Sequence, residues 1–361
     1  MHPSLPPSLI QRLCIHDAQS QLTPIAGGLI HHTYRLQVGN EQTLLQSINT
    51  EIFLNPIGLI QNHLALYEHF LSAGSPFPRP LAKPLPFPDG SWLHVDECNQ
   101  TWRRTEFIPN SYTHPTVEDP KQAFTLAEFF ARFTRHAASV NQSAWHIPLS
   151  RFHDLSFRYE QFEQASKEDP FGRKNSQPAL IQELESRLHY VKTFLQIDRH
   201  PAFPLRMMHH DAKRSNVLMD QQEGTWLCPI DLDTVMPGYF FSDLGDMIRS
   251  LCNGSEKEDS TAEQVHFRSD LFESLLTGYR AGLTGILSPP EDQLLPISGV
   301  WMTYMQCLRF MSDYLNGDLY YRIEHPQQNL DRVNNQLELL RQMENHLQRN
   351  GRASLLSGEI G

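Results

Sequence analysis

The chain has 361 residues, of which 40% are apolar and 20% charged, with a formal net charge of −11. This length exceeds one compact core of typical size and favours two lobes, and the composition is that of a globular protein. Thirty basic against forty-one acidic residues supply no basic face for a phosphate backbone, which excludes general nucleic-acid binding.

The cysteines and the N-terminus indicate the compartment. Five cysteines are scattered along the chain and form no C-x-x-C pair, which argues against a disulfide framework or a zinc site. The N-terminus lacks the basic and apolar regions of a signal peptide, and no run of about 18 apolar residues could span a bilayer. We therefore expect a cytoplasmic protein without a membrane partner. The sequence carries no indication of the oligomeric state.

The first part of the chain has the pattern of β-structure. Short β-like runs lie at residues 22–26, 33–38 and 43–48. The first two runs are joined by a loop that begins with Gly27 and Gly28. After the third run, Asn55 and Pro56 supply the N-cap and first residue of a helix, which Gly74 can end.

A proline-rich connector and further strands complete this part. Six prolines between residues 75 and 90 predict an extended segment, because proline lacks the donor that a helix or inner strand needs. Strand-like runs follow at 92–96 and 103–108. We place the end of a small β-rich lobe here and assign it residues 1–108.

The remainder of the chain is mostly helical in pattern. Helices are predicted from Asp119-Pro120 to about Val140, over residues 178–197, and almost throughout from residue 243 to the end. A polar segment at 205–234 interrupts them. The sequence thus predicts an α+β protein whose larger, mostly helical lobe spans residues 109–361.

The polar segment carries the chemistry. It contains His209-His210-Asp211-Ala212-Lys213-Arg214-Ser215-Asn216, which matches H-x-D-x-K-x-x-N, and an apolar strand-like run follows. Fifteen residues after Asn216 comes Asp231, in the run Ile230-Asp231-Leu232-Asp233. A lone H-x-D is common, but the joint pattern at this spacing indicates phosphoryl transfer.

Phosphoryl transfer needs few protein groups, because its loose transition state asks mainly for positioning and charge neutralisation. Asp211 is placed to orient an acceptor hydroxyl and accept its proton. Asn216, five residues on, and Asp231, after the next strand, can bind the Mg²⁺ that accompanies ATP. Lys213 can steady the γ-phosphate.

Several of these residues also have a structural interpretation. We expect His209 to brace the loop rather than to carry a proton. Asp233 is either a second metal ligand or a solvated neighbour. Asp243 is expected to cap the helix that follows it, and Lys213 could be an ordinary surface lysine.

Stretches along nearly the whole chain resemble one known superfamily. They read GGLIHHTY (27–34), LQSINTEIF (45–53), NP (55–56), WR (102–103), EFI (106–108), IP (147–148), FH (152–153), RY (158–159), IDLDTVMPG (230–238), LRF (308–310), DY (313–314) and GDLYY (317–321). With the catalytic-loop motif, they are similar to the aminoglycoside phosphotransferase and choline kinase superfamily, and within it to the N-acetylhexosamine 1-kinase branch. The resemblance implies a two-lobed, protein-kinase-like fold.

The resemblance also implies binding residues. A sheet with the Gly27-Gly28 loop would cover ATP, and backbone groups of Glu106 and Ile108 would grip the adenine. In the helical lobe, Asp243 would brace the catalytic loop. Residues that fall where the branch binds its sugar are His31, Arg309 and Tyr320. Arg309 could instead be a surface arginine or part of a buried ion pair, and Tyr320 could be ordinary core packing.

One position departs from kinases at large. The third-strand residue, where a lysine usually grips the phosphates, is Gln46, and the glycine loop is not G-x-G-x-x-G. Because glutamine is neutral, another cation or the metal must offset the phosphate charge. The helix carboxylate that would meet the lysine, for which Glu68 is the candidate, is left without its usual partner.

Parts of these motifs also resemble sites of other protein classes. His209-x-Asp211 resembles part of a non-haem iron site, but the helical sequence after it does not suit the β-barrel that usually holds one. Asp231-x-Asp233 resembles a dehalogenase-type phosphatase motif, but the companion motifs are missing. A nucleotide-binding pseudokinase remains a non-enzyme alternative.

The sequence therefore predicts an ATP- and Mg²⁺-dependent small-molecule kinase. The acceptor we favour is the anomeric hydroxyl of an N-acetylhexosamine, because arginine and several tyrosines at 300–325 suit a neutral polyol. Choline, homoserine, an aminoglycoside and a thiosugar remain alternative acceptors.

Overall fold

The computed structural model describes residues 5–15, 20–25, 30–255 and 257–357. Gly27 and Gly28 lie outside the described residues. The helices, in chain order, are α1 Pro7–Arg12, α2 Pro56–Ser72, α3 Pro120–His136, α4 Leu155–Glu168, α5 Pro178–Glu185, α6 Leu188–Ile197, α7 Phe241–Leu251, α8 Ser269–Gly282, α9 Pro289–Leu294, α10 Ser298–Leu315 and α11 Gln328–Arg349. The strands are β1 Ser20–Ile25, β2 His32–Val38, β3 Glu41–Ile48, β4 Pro84–Leu85, β5 His94–Val95, β6 Thr101–Glu106, β7 Ser111–Thr113, β8 Arg206–Met208, β9 Val217–Asp220, β10 Trp226–Pro229 and β11 Met236–Gly238.

The chain divides into two compact units. The first comprises Met1–His114, His136–Ser150 and Ser215–Met236, and the second comprises Pro115–Arg135, Arg151–Arg214 and Pro237–Gly361. None of the helices in the described part of the chain combines the length and apolar character needed to cross a membrane.

The first unit is built on an antiparallel sheet with the strand order β1-β2-β3-β6-β4, to which β5 adds by pairing with β6. One face of the sheet is apolar, because alternate residues of β2, β3 and β6 point to the same side. Leu36, Leu45 and Trp102 form a core there with Leu9 of α1. Residues on the opposite face, including Gln46 and Arg103, are available for polar contacts.

Helix α2 begins and ends as its sequence predicts. The side chain of Asn55 accepts a hydrogen bond from the N–H of Gly58 at 2.9 Å, and Pro56 is the first helical residue. The helix ends at Ser72, and Gly74 has a φ of +76° that a residue with a Cβ adopts only with strain. A second sheet of this unit has the order β10-β9-β7.

Helix α10 is the centre of the second unit. Every residue of α10 except Arg309 is buried, and the helix packs against α4, α7 and α11. Close packing against α7 depends on Gly245, because a Cβ there would come within 2.6 Å of the carbonyl oxygen of Ser298. Most of the ribbon formed by β8 and β11 also belongs to this unit.

Two expectations about the helices were wrong. The predicted helix over 178–197 is two helices, α5 and α6, separated by Ser186 and Arg187. No proline or glycine marks this break; Arg187 sits there with its guanidinium bonded to Glu344 of α11, a tertiary contact that the local pattern does not contain. The region after residue 243 also includes segments without α-helix, at 252–255, 257–268 and 316–327.

Candidate active site

Strands β9 and β10 bring two candidate metal ligands to one end of a hairpin in the first unit. Val217 pairs with Pro229, and the N–H of Ile230 donates to the backbone oxygen of Asn216 at 3.0 Å. Asn216 is buried, whereas Asp231 is exposed and adopts a left-handed φ of +61°. The hairpin thus places an amide and a carboxylate at adjoining positions just beyond its paired residues.

The donor chemistry of this pair fits Mg²⁺. Mg²⁺ prefers hard oxygen ligands and usually binds proteins through one or two of them, keeping waters and phosphate oxygens in its other positions. Asn216 and Asp231 offer an amide and a carboxylate oxygen. A cluster of three or more His, Cys, Asp or Glu side chains able to hold a metal does not occur among the residues with described positions.

Asp233 is fully engaged by a cation. Arg103 of β6 holds its carboxylate in a bidentate pair, with Nη1 2.6 Å from Oδ1 and Nη2 2.5 Å from Oδ2. Both side chains are buried, with exposed fractions of 5% and 4%. The positive charge of Arg103 and two hydrogen-bond donors lower the pKa of the Asp233 carboxyl, outweighing the effect of burial, which raises it. The alternative that Asp233 is a solvated neighbour was wrong.

His31 also binds Asp233. Its Nδ1 accepts a hydrogen bond from the N–H of Asn49 at 3.0 Å, so the proton lies on Nε2, which is 2.9 Å from Asp233 Oδ2. The ring is buried and lies 5.1 Å from that of Phe53, measured between centroids. Both ring nitrogens are therefore used within the first unit, where the sequence suggested a substrate contact.

Gln46 faces Arg103 across β3 and β6. The two residues are register partners, and Arg103 Nε donates to Gln46 Oε1 at 2.8 Å. On its other side, Gln46 Nε2 donates to the hydroxyl of Thr33 on β2 at 3.0 Å. The cation beside Gln46 is thus Arg103, to which the sequence gave no role because pairing register is not visible in a single strand.

The two residues expected to meet adenine lie at and after the end of β6. The N–H of Glu106 donates to the carbonyl of Lys83 at 2.8 Å, and its carboxylate pairs with Arg79 at 2.6 Å. Ile108 is buried, and its carbonyl accepts from the hydroxyl of Ser111 at 2.6 Å. These bonds fix the backbone path of the segment between β6 and β7.

In the second unit, Asp211 and Lys213 form an ion pair. Lys213 Nζ lies 2.8 Å from Asp211 Oδ2, and the backbone N–H of Lys213 donates to the carbonyl of Asp211 at 3.0 Å. Asp211 retains an exposed fraction of 28% and Lys213 of 40%. The carboxylate is therefore reachable from solvent and has a cation beside it.

Asp243 braces the loop that carries Asp211. Its Oδ2 accepts from the N–H of His209 at 3.0 Å and its Oδ1 from the N–H of His210 at 2.7 Å. Burial raises the pKa of Asp243 to about 7, although the two N–H donors act in the opposite direction. The expectation that Asp243 caps its helix was wrong, because α7 begins at Phe241 and has no side-chain cap.

His209 is enclosed by aromatic rings. It is completely buried, with Phe130 and Phe133 edge-on at centroid distances of 5.0 and 5.9 Å. The ring therefore packs into the core of the second unit behind the loop of Asp211, as expected for a residue that braces the loop.

Arg309 lies among three aromatic rings. Its guanidinium carbon is 5.5 Å from the ring centre of Tyr321, 5.7 Å from that of Phe152 and 5.8 Å from that of Tyr320. Tyr320 has an exposed fraction of 70%, so ordinary core packing was the wrong alternative for it. A cation and an exposed aromatic face thus stand together, as in sites that bind polar rings.

A second arginine, to which the sequence gave no role, approaches this group. Burial and the positive charge of Arg309 lower the pKa of Arg158 to about 10. Arg158 donates to the carbonyl of Phe152 and to Gln161, and Arg309 donates to Gln306. Within the described ranges, neither guanidinium has a carboxylate within 4.0 Å, whereas Arg187, Arg206 and Arg249 each pair with one.

The segment that carries Tyr320 is held by Asp313 of α10. Asp313 Oδ1 accepts from the N–H of Tyr320 at 2.8 Å and Oδ2 from the N–H of Tyr321 at 3.0 Å. Asn329 of α11 adds a third donor at 2.8 Å. An acidic residue in a helical run gives no sequence signal of this role.

Comparisons with known proteins agree with this architecture. A model of the phosphotransferase enzyme family matches residues 21–281. A microcompartment-associated aminopropanol kinase is similar in structure, with a TM-score of 0.64 and 16% identity, covering 95% of this chain and 98% of that one. A choline kinase from Cryptosporidium parvum has a TM-score of 0.54 and 15% identity, covering 95% and 94%.

A spectinomycin phosphotransferase, solved with ADP and spectinomycin, has a TM-score of 0.51 and 16% identity, covering 93% of this chain and 94% of that one. At such identities the likeness establishes the fold. The α+β, protein-kinase-like fold class and the superfamily expected from the sequence are confirmed.

Proposed function

Because the chain belongs to the phosphotransferase enzyme family and has the fold of small-molecule kinases, we propose that it phosphorylates a neutral sugar with ATP. The specific acceptor we propose is the anomeric hydroxyl of an N-acetylhexosamine. We assign nucleotide binding to residues 1–108 and acceptor binding and catalysis to residues 109–361.

The observation that supports a neutral acceptor is the pair of arginines in the second unit. The positive charge of Arg309 contributes to the lowered pKa of Arg158, and within the described part of the chain no carboxylate stands within 4.0 Å of either guanidinium. Choline and amino alcohols are cations and would be repelled there. Hydroxyl and acetamido oxygens accept hydrogen bonds from guanidinium groups, and the face of Tyr320 can stack on a sugar ring.

In the proposed reaction, Asp211 is the general base. The acceptor hydroxyl donates its proton to the Asp211 carboxylate as its oxygen forms a bond to the γ-phosphorus. The bond from that phosphorus to the β–γ bridging oxygen breaks, and ADP leaves with the electron pair. Lys213, 2.8 Å from Asp211, holds the carboxylate and supplies positive charge near the transferred group.

Asn216 and Asp231 are the proposed Mg²⁺ ligands, with the backbone of Glu106 and Ile108 proposed to hold the adenine. When bound, the ion would neutralise charge on the β- and γ-phosphate oxygens. His31 and Asp233 are better assigned to positioning, since their polar atoms already bind each other and Arg103. For the same reason Gln46 is assigned to orienting Arg103 rather than to ATP.

An ATP-consumption assay with Mg²⁺ over a panel of acceptors tests the proposal. The panel contains N-acetylglucosamine, N-acetylgalactosamine, plain hexoses, choline, homoserine and an aminoglycoside, with phosphorus NMR of each product. We expect turnover with an acetamido sugar and a sugar 1-phosphate as product. Turnover confined to choline or another cation would retain the kinase and reject the sugar.

A further inference from the structure

The strand-3 position of the first unit holds Gln46, which is bonded on both sides. Its Oε1 accepts from Arg103, and its Nε2 donates to Thr33, so Thr33, Gln46 and Arg103 form one polar row across β2, β3 and β6. A neutral side chain used in this way does not replace the phosphate-binding lysine that kinases at large carry there. It orients the arginine beside it.

All three guanidinium nitrogens of Arg103 bond to Gln46 or Asp233. Nε faces Gln46, Nη1 and Nη2 hold both oxygens of Asp233, and the side chain is 5% exposed. The carboxylate that meets the cation has also changed, because Glu68, on helix α2, is exposed. Compared with kinases at large, the cation therefore lies on β6 instead of β3. Its carboxylate partner lies in the turn after Asp231 instead of on the helix.

That turn directly follows Asp231, the proposed Mg²⁺ ligand. Asp231 has a φ of +61° and is followed directly by a 3₁₀ turn, Leu232–Thr234, in which Asp233 is the central residue. The chain is tied before Asp231 by the bond from Ile230 to Asn216, and after the turn by Trp145 Nε1, which donates to the carbonyl of Val235 at 2.8 Å. The Arg103–Asp233–His31 cluster holds the turn itself.

We propose that Arg103 is a positioning residue that replaces the strand-3 lysine and acts through Asp233 to fix the Mg²⁺-binding carboxylate of Asp231. This inference rests on the proposed role of Asp231 in the kinase. The proposed role differs from direct phosphate binding in its dependence on the metal. A direct contact would strengthen nucleotide binding with or without Mg²⁺. Positioning of Asp231 affects only the part of nucleotide binding that depends on Mg²⁺.

The test measures ADP binding to the full chain by calorimetry, once with Mg²⁺ and once with a chelator. In Arg103→Met and Asp233→Asn, the gain in ADP affinity caused by Mg²⁺ is expected to fall by at least about tenfold, as for loss of a partner that orients a metal ligand. Binding in chelator stays within about twofold of wild type, because no phosphate contact is lost. Arg103→Lys keeps the positive charge but not the two-pronged guanidinium. Its Mg²⁺-dependent gain in ADP affinity is expected to lie between those of wild type and Arg103→Met.

Two further variants complete the design. Arg103→Met/Asp233→Asn removes the buried unpaired carboxylate, so it keeps the test valid where Arg103→Met fails to fold, and it should lose no more of the Mg²⁺ gain than either single change. Arg104→Met is the matched control, since the next residue of β6 points to the other face, onto Phe87 and the carbonyl of Pro86. It should bind as wild type does.

The outcomes separate this inference from the proposed kinase. A Mg²⁺ gain that survives in Arg103→Met or in the double variant overturns the inference and leaves the kinase standing. Equal losses with metal and in chelator overturn it in favour of a direct phosphate contact. A wild-type chain whose ADP affinity does not respond to Mg²⁺ overturns both.

Discussion

The backbone N–H of His210 donates to Asp243 Oδ1 over 2.7 Å, at a residue whose φ is +64°. His210 lies one residue before Asp211, so the carboxylate of α7 holds the residue that precedes the proposed general base in a backbone conformation that L-residues rarely adopt. The same carboxylate binds the N–H of His209. Asp243 therefore needs two acceptor oxygens, which an amide side chain does not provide.

Asp243→Asn is expected to lower both stability and turnover. Its amide nitrogen would face one of the two N–H donors and leave that donor unsatisfied, at a cost of about 1–3 kcal/mol of unfolding free energy. Denaturant unfolding and steady-state kinetics measure the two effects. Asp270→Asn, at an exposed position in the first turn of α8, serves as the control and should be close to neutral. Wild-type stability and turnover in Asp243→Asn would contradict the bracing role.

Arg309 and Arg158 are expected to control the acceptor. Arg309→Ala and Arg158→Gln should each lower kcat/KM for an acetamido sugar by about ten- to a hundredfold, the range for a lost hydrogen bond from a charged donor. The KM for ATP should not change, which separates an acceptor contact from a general loss of activity. Initial rates with each substrate varied measure this.

Arg280→Ala is the control for these variants, since this arginine pairs with Asp292 on another part of the second unit. Arg309→Glu tests the same point with the opposite charge. This variant should raise the rate with choline relative to the rate with an acetamido sugar. An Arg309 variant with normal acceptor KM would remove the basis for preferring a neutral sugar.

The buried pair of Arg103 and Asp233 predicts non-additive stabilities. Arg103→Met leaves a buried carboxylate without its cation and should cost about 3–5 kcal/mol of unfolding free energy. Arg103→Met/Asp233→Asn removes that charge and should be more stable than Arg103→Met alone. Urea unfolding of the four proteins in the cycle supplies the comparison. Strictly additive losses would mean that the two side chains do not stabilise each other.

His63 of α2 predicts a pH dependence. Burial and the charge of Arg103 lower the pKa of His63 to about 4, while its Nε2 bonds the carbonyl of Ala82 at 2.9 Å. In the unfolded chain His63 binds its proton at the ordinary pKa of about 6.5. Its contribution to the unfolding free energy is therefore complete above pH 6.5, and as the pH falls toward 4 the unfolding free energy decreases by up to about 3 kcal/mol.

The measurement compares His63→Gln with wild type, since glutamine retains a donor for Ala82 and does not titrate. The difference in unfolding free energy between the two proteins should change between about pH 7 and pH 4.5, with wild type losing more as the pH falls. Parallel pH profiles for the two proteins would show that His63 is protonated in the folded chain as readily as in the unfolded one.

The sequence predicted elements best where the information is local. Asn55, Pro56 and Gly74 gave both ends of α2, because caps and special φ values depend on single residues. The break at Arg187 could not be predicted, since it coincides with a contact to Glu344, 157 residues away in the chain. Locally, residues 178–197 form an uninterrupted helical pattern.

The same distinction holds for the site. The spacing of Asp211, Asn216 and Asp231 is visible because one short stretch of chain carries all three. The partners of Asp233 are not visible, because Arg103 and His31 reach it only once β2, β3 and β6 are in register. The role of Arg158 could not be predicted for a similar reason, because it depends on Arg309, which lies on a helix far along the chain.

The central claim is that Asp211 transfers an acceptor proton during phosphorylation of an acetamido sugar. The most direct measurement is phosphorus NMR of ATP and N-acetylglucosamine with Mg²⁺, using wild type and Asp211→Asn in parallel. We predict a sugar 1-phosphate signal that forms with wild type and forms about 10²–10⁴ times more slowly with the variant, which still binds ATP. A comparable rate with Asp211→Asn, or a wild type that converts neither this sugar nor N-acetylgalactosamine, would contradict the account.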